Sequence, residues 1–492
     1  MKKRLILTAI TAAVILAISA SVTAVWFMNK SPAETLTTMV FNPNNFTASS
    51  AESNASEPLP SVQNSFETTG DVSVGNFVET QMTPTPVNGG SSATVTNGQL
   101  CMVTASFADT WSDDAGDDNY IPYYTPLANG TIDYVVGQCQ IYDEEEEMLR
   151  DFYMLASGRK VQTQYVQLLS ASSMGDNSIE VLSSVSNYGN LEIRLRTSWN
   201  VPYDFSFSPQ NYYTAHLKKY NVSSFTAQQI QFTFYYTTSV SGIVNAGASD
   251  VVSNAQWTLD SGKKTASLTM QLRNVGQYYG YSLRREADGT LVITIQNKPK
   301  SLAGSVIVLD PGHGGNDPGA LGYSGAVHES QINFALAVAT MNELQRRGAT
   351  VYLTRTDNVR VELEERKNIA RQYNPDMFVS IHCNASPNAS NFGTAVYYFR
   401  PMSQPLASSV YNQLLSVFQN DFYKNDSQRR EKAAIGALFH PFSVTRLEEC
   451  PSILIETGFV TNNQECALFF DEANRNKIAA AISNGIQQYL GA

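Results

Sequence analysis

Four residues in the last third of the chain have the types and spacing for hydrolytic metal chemistry: His313, Glu329, His382 and Glu456. His313 lies in Asp310-Pro311-Gly312-His313-Gly314-Gly315, directly after the apolar run Val306 to Leu309. His382 follows the run Met377 to Ile381, and Glu456 closes the run that begins at Ser452. A glutamate ending an otherwise apolar strand needs a partner or a task. Two imidazoles and one carboxylate with an open fourth position make a hydrolytic zinc site, in which the metal lowers the pKa of its water to about 7. A second carboxylate close by, not bound to the metal, takes the water's proton and passes it to the leaving group.

The elements that must position these residues follow from periodicity. After Pro299-Lys300-Ser301 strands and helices alternate, which predicts an α/β domain over residues 303–492. Expected strands are Val306 to Leu309, Thr350 to Thr354, Met377 to Ile381, Thr394 to Phe399 and Ser452 to Glu456. Expected helices run from Glu329 to Arg347, with Phe334, Ala337, Val338, Met341 and Leu344 on one face, then Val361 to Tyr373, Ala407 to Asn420, and a terminal helix carrying Ile478, Ile482, Ile486 and Tyr489. If the strands run parallel in one sheet, His313, His382 and Glu456 meet at its carboxyl edge, where such sheets place ligands, and the helix start brings Glu329 there.

The domain resembles the zinc-dependent N-acetylmuramoyl-L-alanine amidases, the type-3 amidases that cleave bacterial peptidoglycan. The resemblance runs through Asp310 to Gly315, Asp317-Pro318-Gly319-Ala320, the Glu329 helix, Thr354-Arg355-Thr356-Asp357, Phe378 to Ala385 and Ile455 to Asn462. It implies a mainly parallel twisted sheet with helices on both faces, in agreement with the periodicity. It also implies that His313, Glu329 and His382 bind Zn2+ and that Glu456 is the catalytic carboxylate. The substrate it implies is the amide between N-acetylmuramic acid and L-alanine of the stem peptide, cut by a zinc-activated water. Cys383 stands where the family has alanine and is a softer candidate ligand, although its side chain should alternate away from that of His382. His328, next to Glu329, is an alternative ligand. Asn384 reads either as a substrate-orienting residue or as a turn former, His440 as structural, and His216 has no partner motif. A zinc peptidase or other wall amidohydrolase, or a wall-binding protein that kept the fold without the chemistry, are the competing readings.

Upstream, Met1-Lys2-Lys3-Arg4 and the apolar run Leu5 to Met28 read as a signal peptide or membrane anchor, residues 1–28. Val22-Thr23-Ala24 offers a cleavage site, while Trp26 and Phe27 suit a membrane interface. Residues 29–99, rich in Ser, Thr, Asn, Pro and Gly, read as a disordered spacer. No Lys or Arg occurs between Lys30 and Arg150, so most of the net charge of -11 lies in the front third. Nucleic acid is thereby excluded as a partner. The Asp113 to Asn119 cluster lacks the spacing of a calcium loop and reads as a solvated acidic turn.

Residues 100–298 read as a β-rich, sandwich-like domain, of which 180–298 loosely resembles the amidases' wall-targeting domain. Expected strands are Ser178 to Leu182, Leu191 to Leu195, Ile230 to Tyr235, Ser267 to Leu272 and Thr290 to Ile295, with a hairpin turn at Ala287-Asp288-Gly289 and one helix over Glu144 to Ser157. Tyr212, Tyr213, Tyr235, Tyr236, Tyr278, Tyr279 and Tyr281 read as packing or as a carbohydrate-stacking surface. Five cysteines exclude a dense disulfide framework and leave Cys101 with Cys139 as one available pair.

The expected partner is peptidoglycan, met outside the cytoplasm at the cell wall or membrane surface by an anchored or secreted protein. No obligate protein partner is expected, because the interval Phe399 to Ser452 leaves little chain for a plug over the metal. Glu448-Glu449 reads there as a solvated turn. A fragment from Leu302 to Ala492 is expected to act without an activator, the β region serving localisation.

Overall fold

Alternation of apolar and polar residues decides most of the upstream fold. In strand Asn190–Thr197 the inward Leu191, Ile193 and Leu195 are fully buried, and strand Leu291–Ile295 pairs with it so that Ile293 lies opposite Ile193. A five-stranded sheet follows the order Thr237–Ser241, Asn177–Asn187, Asn190–Thr197, Leu291–Ile295, Tyr281–Arg285. A four-stranded antiparallel sheet follows the order Tyr203–Ser208, Gln229–Phe234, Thr265–Leu272, Val252–Asp260. Their inner residues, among them Ile193, Ile293, Phe232 and Leu268, merge into one core, as in a sandwich.

The structure, a computed structural model, describes residues 98–491 except 113–122, 144–147, 172, 209–224, 300, 324 and 326. The leader, nearly all of the spacer, the Asp113 to Asn119 cluster, Tyr212, Tyr213 and His216 lie outside the described residues. Among the described ones, no helix is long and apolar enough to cross a membrane.

Residues 99–168 form a separate seven-stranded antiparallel sheet with its own small core of Cys101, Val103, Ala108, Leu127, Val135, Leu155 and Val161. Gln99, assigned above to the spacer, opens its first strand, Gln99–Val103. The expected helix over Glu144 to Ser157 is a strand in its described part, Met148–Leu155. Pairing on both sides, with Ile132–Asp143 and with Arg159–Gln162, overrides the local helix propensity of its leading acids. Cys101 and Cys139 are not bridged. Cys101 lies opposite Asp133, and Cys139 is further along that strand by roughly 20 Å. Tyr278 and Tyr281 are core residues packed around Phe205, while Tyr236 donates to Asp133 and Tyr235 to Asp204. Packing is therefore the role of these four.

The α/β domain comprises β1 (Val306–Pro311), α1 (Glu329–Arg346), β2 (Thr350–Leu353), α2 (Leu363–Tyr373), β3 (Met377–Asn384), β4 (Thr394–Tyr398), α3 (Gln404–Val417), α4 (Ser427–Lys432), β5 (Ala434–Phe439), β6 (Ser452–Phe459), α5 (Asn463–Phe470) and α6 (Glu472–Leu490). Its sheet order is β2-β1-β3-β6-β4-β5. β2, β1, β3 and β6 run parallel, and β4 pairs antiparallel with β6 and parallel with β5. Val308, Phe378 and Leu454 pack with Ala370 of α2 on one face. The equally buried Ile307, Leu309, Val379 and Ile381 alternate to the other.

The buried stripe of α1 is Ile332, Asn333, Leu336, Ala337, Thr340 and Leu344, rotated from the expected one so that Phe334, Val338 and Met341 are only partly covered. That rotation aims Glu329 and Asn333 at the sheet edge. The apolar segment from Ile435 supplies the edge strand β5, not foreseen as a strand.

Glu448 and Glu449 are buried, at 3% and 6% exposure, and so are not a solvated turn. Their partners come from distant parts of the chain: Arg400 lies 2.6 Å from Glu448, Arg371 lies 2.8 Å from Glu449, and the Tyr281 amide donates to the Glu449 carbonyl. Gln296 donates to Asn374, and Lys367 pairs with Asp109 of the seven-stranded sheet. The upstream sheets thus share a desolvated, charge-paired interface with the α/β domain. Severing the chain at Leu302 would remove Asp109 from Lys367, leaving it Glu364 at 3.7 Å, and would expose Arg371, still paired with Glu449, to water. The fragment Leu302 to Ala492 should melt on the order of 10 °C below the full chain. Scanning calorimetry decides this, and equal melting temperatures would show that the interface contributes nothing.

Candidate metal centre

The loop after β1 carries the first candidate ligand in a conformation that a non-glycine residue adopts only when held: His313 has φ +59°. Two guanidinium groups hold it. Arg355 donates to the carbonyls of Pro311 (2.9 Å), Gly312 (3.1 Å) and Ser330 (2.8 Å). Arg366 of α2 donates to those of Pro311 and His313, both at 3.0 Å. Arg366 also pairs at 2.7 Å with Asp310, which is fully buried and accepts from Thr354 and Ser380 as well. Burial opposes the charge of Asp310, but Arg366 and the two hydroxyls outweigh it and hold its carboxyl below the usual range.

Parallel pairing then sets the ligands side by side. Pro311 lies opposite Ile381, and His382 lies opposite Glu456. His313 Nε2 is 3.3 Å from one oxygen of Glu329, and His382 Nδ1 is 3.1 Å from the other. The two imidazole centroids are 4.9 Å apart. Donor atoms of His313, Glu329 and His382 all lie within 4.8 Å of one another. Donors about 2.0–2.1 Å from a shared tetrahedral zinc would lie roughly 3.3 Å apart, so the set fits that ion.

The far nitrogen of His313, Nδ1, is 2.8 Å from Asp317, where an outer carboxylate would stand if the imidazole held a metal. Burial opposes protonation of His313, yet Glu329 and Asp317 prevail and raise its pKa to about 9 in the metal-free protein. Glu329 is oriented further by the amides of Ala320 (3.0 Å) and Cys383 (3.2 Å) and by Asn333 Nδ2 (3.1 Å).

Two glycines make room for this packing. A Cβ on Gly312 would lie 2.2 Å from the His382 ring, and one on Gly319, at φ +65°, would lie 2.7 Å from His313 and 2.8 Å from Glu329.

Glu456 is different in kind. It is half-buried beside His382, and among the described residues its Oε2, shielded from water, has no hydrogen-bond partner. Burial first, and then the charge of Glu329, push its pKa well above the usual carboxylate value.

The remaining candidates fall away from the cluster. His328 is exposed and caps α1, with its amide donating to Gln331. Cys383 is buried at 2%, contributes its amide and not its sulfur to Glu329, and has a thiol pKa raised by burial. Asn384 Oδ1 accepts from the Ala385 amide, a turn bond. His440 stacks on Phe442 at 4.0 Å. The sequence pattern contains Arg355 without assigning it a role, and gives none to Arg366, Asn333 or the contact of Asp317 with His313. An arginine three residues into a short helix, four before the core residue Ala370, was the available signal for Arg366.

Residues 307–488 match the family model described as N-acetylmuramoyl-L-alanine amidase. The amidase AmiA of Salmonella typhimurium is 30% identical, over 39% of this chain and 80% of its own length. The chain belongs to the N-acetylmuramoyl-L-alanine amidase family. AmiC of Neisseria meningitidis serogroup B is a 33% identical amidase, matched over 38% of this chain and about half, 52%, of its own length. Among solved structures, the catalytic domain of the amidase CwlV from Bacillus (Paenibacillus) polymyxa var. colistinus is 32% identical over 38% of this chain and 98% of that one, with a TM-score of 0.33.

Replacing Arg366 with Met leaves Asp310 buried and unpaired, which should destabilise the amidase domain by about 3–5 kcal/mol at neutral pH. Because the folded pKa of Asp310 is lowered, its contribution is present above the unfolded carboxylate value and is lost as pH falls through the folded one. Denaturant titrations of Arg366→Met and the parent should therefore differ most at neutral pH and converge below about pH 4. A pH-independent difference would contradict the pairing.

Proposed function

We propose that residues 303–492 hydrolyse the amide between the lactyl group of N-acetylmuramic acid and L-alanine of the peptidoglycan stem, with His313, Glu329 and His382 holding Zn2+ and Glu456 as the catalytic carboxylate. The observation that carries this reading is the orphaned carboxylate oxygen of Glu456 beside a three-donor cluster at the carboxyl edge of one sheet. Zinc, if held by these three side chains, would supply Lewis acidity and a more acidic water, of pKa about 7. Glu456 would take the proton of the attacking water and return it to the departing amine of L-alanine. Its burial suits the accepting half of the task, since a carboxylate kept from solvent binds a proton more tightly than an exposed one. Asp317 keeps His313 in the tautomer that presents Nε2 inward, and the Arg355 and Arg366 clamp keeps the loop beneath it from relaxing.

Peptidoglycan is the partner of this site, and the protein meets it outside the cytoplasm, anchored or secreted through residues 1–28. The sandwich within 180–298 contributes wall localisation.

Mass spectrometry of digested sacculi tests the bond. Intact glycan strands with free stems beginning at L-alanine support the amidase, shortened stems would mean a peptidase, and no products a binder. In the same assay Glu456→Ala should lower turnover by about 10²–10⁴-fold and keep its zinc by elemental analysis. His313→Ala and His382→Ala should lose both metal and turnover. Parental hydrolysis by Glu456→Ala would remove the role given to that residue.

A further inference from the structure

Helix α2 touches two parts of the molecule at once. Its Glu364, Lys367, Asn368 and Arg371 are spaced three and four residues apart and share one side. That side meets strand Phe107–Ser112 of the seven-stranded sheet. The Asp109 amide donates to Glu364 at 2.8 Å, the Lys367 ammonium pairs with the Asp109 carboxylate, Asn368 Nδ2 donates to the Phe107 carbonyl at 3.3 Å, and the Arg371 guanidinium lies 4.7 Å over the Phe107 ring. One residue from Lys367, and so about 100° round the helix, Arg366 reaches the other way to Asp310 and to the Pro311 and His313 carbonyls.

We propose that Asp109 is a positioning residue for the metal centre: its carboxylate fixes α2 through Lys367, and α2 fixes the His313 loop through Arg366. This rests on the reading that His313, Glu329 and His382 hold zinc. Lys367 is fully buried, and its next carboxylate, Glu364, stands at 3.7 Å. With Asp109 neutralised, the ammonium must close on Glu364 or find water, and either movement carries α2 with it. Arg366 moves as part of the same rigid turn. His313, held at φ +59° partly by the bond from Arg366 to its carbonyl, then loses the restraint that aims its imidazole. The seven-stranded sheet, which among the described residues supplies no group to the site, thereby acts on the chemistry through one helix.

The test uses the full chain. Asp109→Asn should weaken zinc about tenfold in competition with a chromophoric chelator. It should also lower kcat on soluble muropeptide at saturating zinc about tenfold, with KM within twofold. Asp109→Glu, which keeps the charge, should recover most of both. Asp133→Asn is the control for a structural loss in the same sheet, because Asp133 is buried and bonded to Ser157 and Tyr236, away from α2. It should lower the melting temperature and leave zinc affinity unchanged. Asn368→Ala, which deletes the bond to the Phe107 carbonyl and the one accepted from Arg371, keeps the question answerable should Asp109→Asn fold poorly, and should weaken zinc two- to threefold. Parental zinc affinity and kcat in Asp109→Asn or Asn368→Ala would overturn the proposal, as would equal zinc loss in Asp133→Asn. A parent chain that binds no zinc would instead overturn the metal reading itself.

Discussion

The site is organised around a buried carboxylate that touches no candidate ligand. Asp310 accepts from Thr354 after β2, Ser380 in β3 and Arg366 in α2, so one side chain ties three elements together just beneath the sheet's carboxyl edge. Above it the chain leaves β1 and its carbonyls lose their ladder partners. Buried carbonyls without donors are costly. Arg355 and Arg366 meet that need by presenting forked guanidinium groups to the carbonyls of Pro311, Gly312 and His313. A lysine at either position would bring three donors clustered on one atom in place of a rigid planar fork that spreads them across separate acceptors.

This support lets two glutamates of the same intrinsic acidity diverge. Glu329 accepts from two backbone amides and Asn333, and faces two imidazoles, so despite burial its pKa is driven well below the usual range. Glu456, a strand away, has burial and a like charge and no compensating donor, and moves in the opposite direction. Environment and not residue type thus moves the two carboxyl groups in opposite directions. The divergence needs both side chains on rigid elements. Glu329 is on the first turn of α1 and Glu456 within β6, each locked by packing on the sheet.

What was legible in the sequence was whatever local pattern dictates. Apolar runs marked β1, β3 and β6, and the polar residue ending each run marked the sheet's chemical edge, so His313, His382 and Glu456 could be brought together before any coordinates. The strand Met148–Leu155 was misread as helix because its leading acids favour helix locally, whereas its pairing partners on both sides lie elsewhere in the sequence. Glu448 and Glu449 were misread as solvated for the same reason: Arg371 and Arg400 neutralise them from a distance that no window spans. The stripe of α1 was read as a purely hydrophobic face, but Glu329 and Asn333 belong to its buried side, since a helix that delivers a ligand must turn polar groups inward. Arg366 was invisible because an arginine near an apolar face normally snorkels to water. Its role depends on carbonyls that the loop exposes only once folded.

The interface upstream of the amidase domain is charged where a hydrophobic one would have served stability as well. Lys367, Glu364, Arg371 and Glu449 are all mostly removed from water. Buried pairs of this kind add little net stability over apolar residues of similar volume. They do penalise every alternative docking, because sliding the seven-stranded sheet by one residue would separate Asp109 from Lys367 and leave both charges in a low-dielectric environment. An apolar contact would tolerate such a slip. The pairing of Lys367 with Asp109 therefore favours one register of α2 against the sheet, the register in which Arg366 reaches the His313 carbonyl.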